Sequence, residues 1–173
     1  MRLFEKMNKN SIQNNRLSVY VDYVISDYKF VMVRVNKLKE IITELSHTRK
    51  SSQAQERENL CNSLLTILDM VSDKYYCYLF DLSDLVFFLL NNQDMQAEKR
   101  VSQKAMEALD SKKLLRNEFE TIYRNFKSMA KKLDNVPMNQ ILKAMREAFD
   151  FEGKTFRSEA LYTETKAVEK FID

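Results

Sequence analysis

Hydrophobic residues recur along this chain in three long runs that have the spacing of α-helices. They alternate between steps of three and four residues over 17–45, over 61–89 and over 101–133, and Lys112 is the one polar residue in the third run. Such spacing places the members of a run on one side of a helix, so the three runs predict three long helices with one apolar stripe each. The stripe residues are Leu17, Val21, Val24, Tyr28, Val31, Val35, Leu38, Ile42 and Leu45; Cys61, Leu64, Leu68, Val71, Tyr75, Tyr78, Leu82, Leu85 and Leu89; and Val101, Ala105, Ala108, Lys112, Leu115, Phe119, Ile122, Phe126, Met129 and Leu133.

Short polar segments separate the three runs. Residues 47–52 read HTRKSS and residues 91–94 read NNQD. Ser52 and Gln55 have the spacing of a capping box, in which two side chains accept hydrogen bonds from free amides at a helix start, and the second helix is expected to begin there. Asp94 is expected to cap the third helix in the same way.

The C-terminal part of the chain is expected to form a short helical hairpin. Pro137 suits the first turn of a fourth helix, and Gly153 suits the position just after its end. The fourth helix would bury Ile141, Leu142, Met145, Ala148 and Phe149, and a fifth helix would bury Leu161, Val168, Phe171 and Ile172.

These elements predict an all-α fold. Helices of about 32 to 40 residues are about 48 to 60 Å long, and loops of about four to six residues make consecutive helices antiparallel. We therefore expect an elongated up-down antiparallel bundle of three long heptad-patterned helices, followed by the C-terminal hairpin. The expected organisation is an N-terminal tail over 1–10, the three-helix bundle over 11–136, and the hairpin over 137–173 packed on the same domain.

Composition narrows the possible functions. The 173 residues include one Gly and one Pro, whereas dinucleotide-binding and P-loop motifs require several glycines, so both classes of site are excluded. The formal net charge is +3, with +5 over 1–50, −4 over 51–100, +3 over 101–137 and −1 over 138–173. This alternation favours contacts between neighbouring helices.

Neither an active site nor a cofactor site is predicted. Glu44 and the only histidine, His47, have a helical metal-ligand spacing, but a di-iron site needs that motif twice. A nucleophilic triad cannot be assembled around a single histidine at a helix end. We expect a protein that is not an enzyme and binds neither metal nor cofactor.

The cysteines and the apolar segments predict a cytoplasmic protein. Cys61 and Cys77 lie in helical stretches without the spacing of a redox or zinc motif. The N-terminal residues have no apolar core of a secretory signal. The longest apolar run, over 75–90, contains two aspartates and about 16 residues, fewer than the about 20 that a membrane-spanning helix needs. No transmembrane segment is therefore expected.

The second half of the second helix is apolar around most of its circumference, beyond its stripe. Such a helix must be covered on more than one side, either by this chain or by another. The residues expected at an interface are Tyr76, Phe80, Asp84, Phe87 and Leu90. The leading hypothesis is a non-enzymatic protein-protein interaction, scaffold or regulatory module that presents helix faces to a protein partner or to a second copy of itself.

Two alternatives remain open. A regulatory nucleic-acid-binding protein would use the basic N-terminal region and the third helix, although acidic residues interrupt the positive charge there. Its phosphate-contacting residues would be Lys112, Lys113, Arg116, Arg124 and Lys127. An enzyme would have to use carboxylate pairs of the second helix, at 69 and 73 or at 81 and 84, within the bundle.

Overall fold

The computed structural model of the chain describes residues 2–92, 99–133 and 137–149, with side chains over 15–92, 103–133 and 137–149. These residues form helices and short connections, and no strand occurs among them. The all-α prediction is confirmed, and the four α-helices pack against each other. They are α1 (Arg2–Ser46), α2 (Ala54–Asn91), α3 (Lys99–Ala130) and α4 (Met138–Phe149), with a 3-10 helix (Ser51–Gln53) directly before α2.

The predicted stripes make up most of the hydrophobic core. Every stripe residue of α2 is buried, and so is every stripe residue of α1 except the half-buried Tyr28. On α3 the stripe is buried from Ala105 to Leu133, apart from the half-buried Lys112. Full burial of one Val, Leu or Phe side chain contributes about 1.5–3 kcal/mol, so these stripes supply the main favourable term in folding.

The described residues divide into two compact units. The first unit lies within 1–28 and 77–113, and the second lies within 29–76 and 114–152. Helices α1, α2 and α3 contribute residues to both units, whereas α4 belongs to the second unit alone.

In the first unit, a buried polar contact joins α2 to α3. The hydroxyl of Tyr78 lies 2.5 Å from that of Ser111, and Ser111 donates its own hydrogen to the carbonyl of Ala108. Tyr78 is therefore the donor in the contact between the two side chains. Both residues are fully buried, so the contact satisfies polar groups that would otherwise be costly in an apolar core.

In the second unit, aromatic rings hold α4 against α3. Tyr75 meets Phe119 edge to face at 5.0 Å, and Phe119 stacks on Phe149 with ring centroids 4.2 Å apart. At the edge of this contact, the guanidinium of Arg146 donates two hydrogen bonds, of 2.8 and 3.1 Å, to the hydroxyl of Tyr123. All five predicted core residues of α4 are buried.

Helix α4 begins directly after the single proline of the chain. The backbone amide of Ile141 donates to the carbonyl of Pro137 at 3.1 Å, so Pro137 immediately precedes the first helical residue, Met138. The sequence predicted that Pro137 lies inside the first turn of α4, whereas it stands one residue before the helix. Proline fits at this boundary because its missing N–H would have no partner there.

The junction between α1 and α2 differs from the predicted capping box. The backbone amide of Lys50 donates to the side chain of Gln53 at 3.1 Å, whereas Gln55 donates to Asn59 within α2. The hydrogen bond from a backbone amide to a glutamine side chain thus forms two residues earlier than expected. It caps the 3-10 helix that precedes α2. The guanidinium of Arg57 closes the junction by donating to two loop carbonyls, those of Thr48 and Lys50.

Several expectations concern the two ends of the chain and the α2–α3 connection. Helix α1 begins at Arg2, so residues 2–10 are helical where an N-terminal tail was expected. This segment contains neither Gly nor Pro to stop the helix. The expected cap at Asp94, the helix end at Gly153 and the fifth helix lie outside the described residues.

We predict that Phe149→Ala detaches α4 from α3. The change removes a buried ring and its stacking on Phe119, so unfolding in urea should show a loss of about 3–5 kcal/mol. Backbone amides of α4 should exchange faster with solvent. The matched change Lys143→Ala, at an exposed site of the same helix, should alter stability by less than about 0.5 kcal/mol. Equal effects of both changes would contradict the packing of α4.

Candidate interaction surface

Several apolar residues of α2 that lie outside its stripe are buried by the chain itself. Among the residues outside the stripe, Leu79, Val86 and Phe88 are buried in the first unit. In the same unit, by contrast, Phe87 is 64% exposed. Phe88 follows directly and points into the unit, so two consecutive phenylalanines have opposite environments.

The five predicted interface residues do not share one environment. Phe87 and Asp84 are exposed in the first unit, whereas Phe80 and Leu90 are half-buried there. Tyr76 is 60% exposed and belongs to the second unit. The first unit therefore presents Phe87 and Asp84 most fully, and Tyr76 is a separate exposed aromatic residue.

A groove beside Phe87 lies between α1 and the end of α2. It has a volume of about 340 Å³, and its lining includes Arg16 and Tyr20 of α1 together with Asp84, Phe87 and Phe88 of α2. The ring of Tyr20 packs on Phe88 with a centroid distance of 5.2 Å. The Cζ atom of Arg16 lies 5.7 Å from the centre of the Phe88 ring, within the range of a cation–π contact.

A second groove adjoins the first along α1. It has a volume of about 380 Å³ and is lined by Asn15, Arg16, Val19 and Tyr20, so the two grooves share Arg16 and Tyr20. Val19 is 49% exposed, and Tyr23, one turn further along α1, is 58% exposed. We call Val19, Tyr20, Tyr23 and Phe87 the aromatic patch; Tyr23 lines neither groove and is included because it lies one helical turn from Val19 on α1.

The end of α2 is held in place by side-chain caps. Asn91 donates from its amide to the carbonyl of Phe87 at 2.8 Å, and Asn92 donates to that of Phe88 at 2.8 Å. The Phe88 carbonyl is among the last four of α2, which lack partners inside the helix, so the Asn92 amide caps it. The Asn91 amide adds a further donor to the carbonyl of the preceding residue.

The α1 members of the patch were missed by sequence analysis. Val19 and Tyr23 are four residues apart, with Tyr20 between them, and none belongs to the stripe of α1. A second apolar i, i+4 pair on one helix indicates a second surface to be covered. That signal was present in the sequence, although it does not say which neighbouring helix contributes the rest of the surface.

The basic residues of α3 are mostly accessible, but acidic neighbours accompany them. Lys113 is exposed in the first unit, where Lys112 is half-buried. Arg116, Arg124 and Lys127 are exposed in the second unit.

Two acidic residues of α3 form ion pairs in the second unit. The Arg116 guanidinium lies 3.4 Å from the carboxylate of Glu120, and Glu118 of α3 pairs with Lys39 of α1. Exposed pairs of this kind contribute little to stability, but they reduce the positive potential along α3.

The described residues contain neither a candidate metal cluster nor a membrane-spanning helix. No group of three or more His, Cys, Asp or Glu side chains is placed to hold a metal ion, so Glu44 and His47 find no further ligand among them. None of the described helices is long and apolar enough to cross a membrane.

Comparison with known proteins adds no relative. No protein-family model matches the chain, and neither a curated protein nor a solved structure matches it. The interpretation of the patch therefore depends on its own geometry.

The two cysteines have different environments on α2. Cys61 is buried in the second unit and Cys77 is exposed in the first, and both are free thiols. Burial raises the pKa of the Cys61 thiol above its ordinary value, although the positive charge of Arg57 lowers it in part. A raised pKa leaves less thiolate at a given pH, and the thiolate is the reactive form.

We predict that iodoacetamide at pH 8 modifies the folded protein mainly at Cys77. Cys61 should react slowly because it is buried and its pKa is raised, and it should become reactive in denaturant. Peptide mass spectrometry measures both sites, and Cys77→Ser should remove the fast phase. Rapid modification of Cys61 in the folded protein would show that its site is open.

Proposed function

We propose that this chain is a non-enzymatic protein-protein interaction module that presents helix faces to a protein partner or to a second copy of itself. The observation that carries the proposal is the aromatic patch of the first unit, where two helices contribute exposed apolar side chains to adjoining grooves. Contiguous exposed apolar surface on a folded protein usually marks a binding site.

The composition of the patch favours binding to protein. Tyrosine and phenylalanine offer large apolar contact areas and lose little side-chain entropy when they become fixed, and aromatic residues are enriched at protein interfaces. Arg16 and Asp84 beside the patch carry opposite charges, which suits the polar rim that surrounds an apolar interface centre. The proposed role of Phe87 is that of a central anchor in this surface.

The proposed arrangement of the long helices is an up-down antiparallel bundle with heptad packing. Two contacts within the second unit support antiparallel α1 and α2: Lys74 lies 5.2 Å from the ring centre of Phe30, and Arg57 donates to the carbonyl of Thr48. From the first contact to the second, the residue number rises from 30 to 48 on the α1 side and falls from 74 to 57 on α2. This is the order expected if the two helices run in opposite directions. The elongated shape expected from helix length stays a prediction.

We further propose that the protein acts in the cytoplasm. Cys61 and Cys77 are free and lie 16 residues apart on one helix, which at 1.5 Å per residue separates them by about 24 Å. Disulfide formation requires Cα atoms within about 7 Å, so the two cannot pair with each other. Two free thiols suit a reducing compartment.

We predict that Val19→Ser, Tyr23→Ser and Phe87→Ser each weaken association and leave the fold intact. Each side chain is largely exposed, so thermal stability should change little, while loss of apolar contact area should weaken binding by about 1–3 kcal/mol, or about five- to 150-fold. Light scattering over a concentration series measures self-association. Affinity capture from the native cell with wild-type and variant bait measures partner binding.

The chain offers matched controls for two of these changes. Val33 lies on the same helix as Val19 and is 59% exposed, and Tyr76 matches Tyr23 in exposure, yet both control residues belong to the second unit. Val33→Ser and Tyr76→Ser should leave association unchanged. If patch and control changes act alike, or if neither affects self-association or capture, the aromatic patch is not the interface.

We predict a weak salt dependence for association through the patch. The strength of apolar contacts depends little on electrostatic screening. The dissociation constant should therefore change by less than about threefold between 50 and 500 mM NaCl. Binding through the basic residues of α3 to nucleic acid would instead weaken steeply, by orders of magnitude over the same range. Fluorescence anisotropy with the captured partner and with duplex DNA distinguishes the two functions.

A further inference from the structure

The groove beside Phe87 carries one positive and one negative side chain. Arg16 of α1 and Asp84 of α2 both line it, and both are exposed in the first unit. Within the described part of the chain, neither the Arg16 guanidinium nor the Asp84 carboxylate takes part in an ion pair or a hydrogen bond. The groove therefore holds two opposite charges that do not neutralise each other by direct contact.

The contacts of Phe88 place the two charges at opposite ends of the groove. The Cζ atom of Arg16 lies 5.7 Å from the centre of the Phe88 ring, and the ring of Tyr20 packs on Phe88 at 5.2 Å. Phe88 thus lies beside the turn of α1 that runs from Arg16 to Tyr20. Asp84 precedes Phe88 by one turn of α2, or about 6 Å. On the proposed antiparallel course of the two helices, that step leads along α1 away from Arg16.

Apolar side chains occupy the middle of the groove region. Val19 is three residues past Arg16 on α1, and Phe87 is three residues past Asp84 on α2. Because the two helices run in opposite directions, both steps lead from a charged end towards the middle. Val19 is 49% exposed and Phe87 is 64% exposed, so the order along this surface is positive, apolar, negative.

We propose that the occupant of the groove is a second copy of this chain, bound about a two-fold axis near Phe87. Such an axis reverses the direction of the groove, so Arg16 of each copy faces Asp84 of the other, and the exposed Phe87 rings cover each other. A groove with charges of one sign would repel its own copy under the same operation. The second copy is then the partner of the aromatic patch, and this assignment rests on the function proposed above.

The ion pairs and the apolar centre have different roles in this dimer. Exposed ion pairs contribute little to affinity, but they favour the orientation in which opposite charges meet. The side chains of Val19 and Phe87 supply most of the favourable burial when both copies cover them. The two charges therefore report the direction in which the second copy lies.

The test places the two charge changes on separate full-length chains. In a two-fold dimer, Arg16→Glu alone puts carboxylates opposite carboxylates, and Asp84→Arg alone puts guanidinium groups opposite each other. Each variant should therefore self-associate about tenfold more weakly than the wild type. An equimolar mixture of the two variants should recover the wild-type dissociation constant, because both contacts in the mixed dimer join opposite charges. Sedimentation equilibrium up to about 1 mM protein measures each sample and detects even a weak dimer.

The matched controls make the same charge changes on α3. Lys113→Glu and Asp110→Arg alter exposed residues of the same unit, and none of the described residues of α3 lines either groove. These variants should leave the dissociation constant unchanged, both singly and mixed. All four changes are at exposed positions, so the Tm of each variant should stay close to that of the wild type.

A second measurement uses the unaltered chain. In a mixture of isotope-labelled and unlabelled wild-type protein, isotope-filtered nuclear magnetic resonance detects only the contacts between chains. We expect such contacts at the ring of Phe87 and at the methyl groups of Val19. Contacts confined to residues of the second unit would place the dimer elsewhere and overturn the proposal.

The proposed dimer is wrong if the wild type stays monomeric over the whole concentration series, or if the mixture associates as weakly as the single variants. Recovery in a chain that carries both changes, without recovery in the mixture, would assign the two charges to a contact within one chain. Capture of a different protein that Phe87→Ser abolishes, with a monomeric wild type, would retain the patch as an interface and exclude a second copy as its occupant. If Phe87→Ser alters neither self-association nor capture, the proposed function fails as well.

Discussion

Burial of one apolar stripe on each long helix is the interaction on which the rest of this structure depends. A helix isolated in water gains little from its backbone hydrogen bonds, so a segment as long as α1 is stable only if its stripe is covered. The chain has no Gly before residue 153 and no Pro before residue 137, so nothing interrupts the helices between the polar junctions. Covering the stripes then fixes which face of each helix points inward and which residues are left outside.

The stripes could be predicted from sequence because they depend only on spacing along a single helix. Coverage of the other faces depends on where neighbouring helices lie, which spacing does not reveal. Phe87 and Phe88 show the difference, since both are outer residues of α2, but Phe88 is buried against the ring of Tyr20 whereas Phe87 is 64% exposed. Val19 and Tyr23 have an i, i+4 spacing that the sequence does show, but the spacing does not show that the end of α2 lies beside Tyr20, between them on α1. The five predicted interface residues differ in exposure, and their role at an interface stays a prediction.

The junctions show a second limit of sequence analysis. Ser52 and Gln55 had the right residue types for a cap, but a 3-10 turn shifted the reciprocal contact to Lys50 and Gln53. Local hydrogen bonds of this kind have nearly equal alternatives a residue or two apart. The distant Arg57 side chain, which binds the loop carbonyls, adds a contact that the local pattern does not contain.

The side chains of the aromatic patch contribute less to the fold than the stripe residues do. Val19, Tyr23 and Phe87 are 49%, 58% and 64% exposed in the first unit, whereas the stripe residues of the same helices are almost all buried. An exposed apolar side chain is stabilised when a partner covers it. Binding through the patch can therefore be removed by a substitution that the core tolerates. A loss of association without a loss of stability is consequently the property that separates a binding surface from a core residue in this fold.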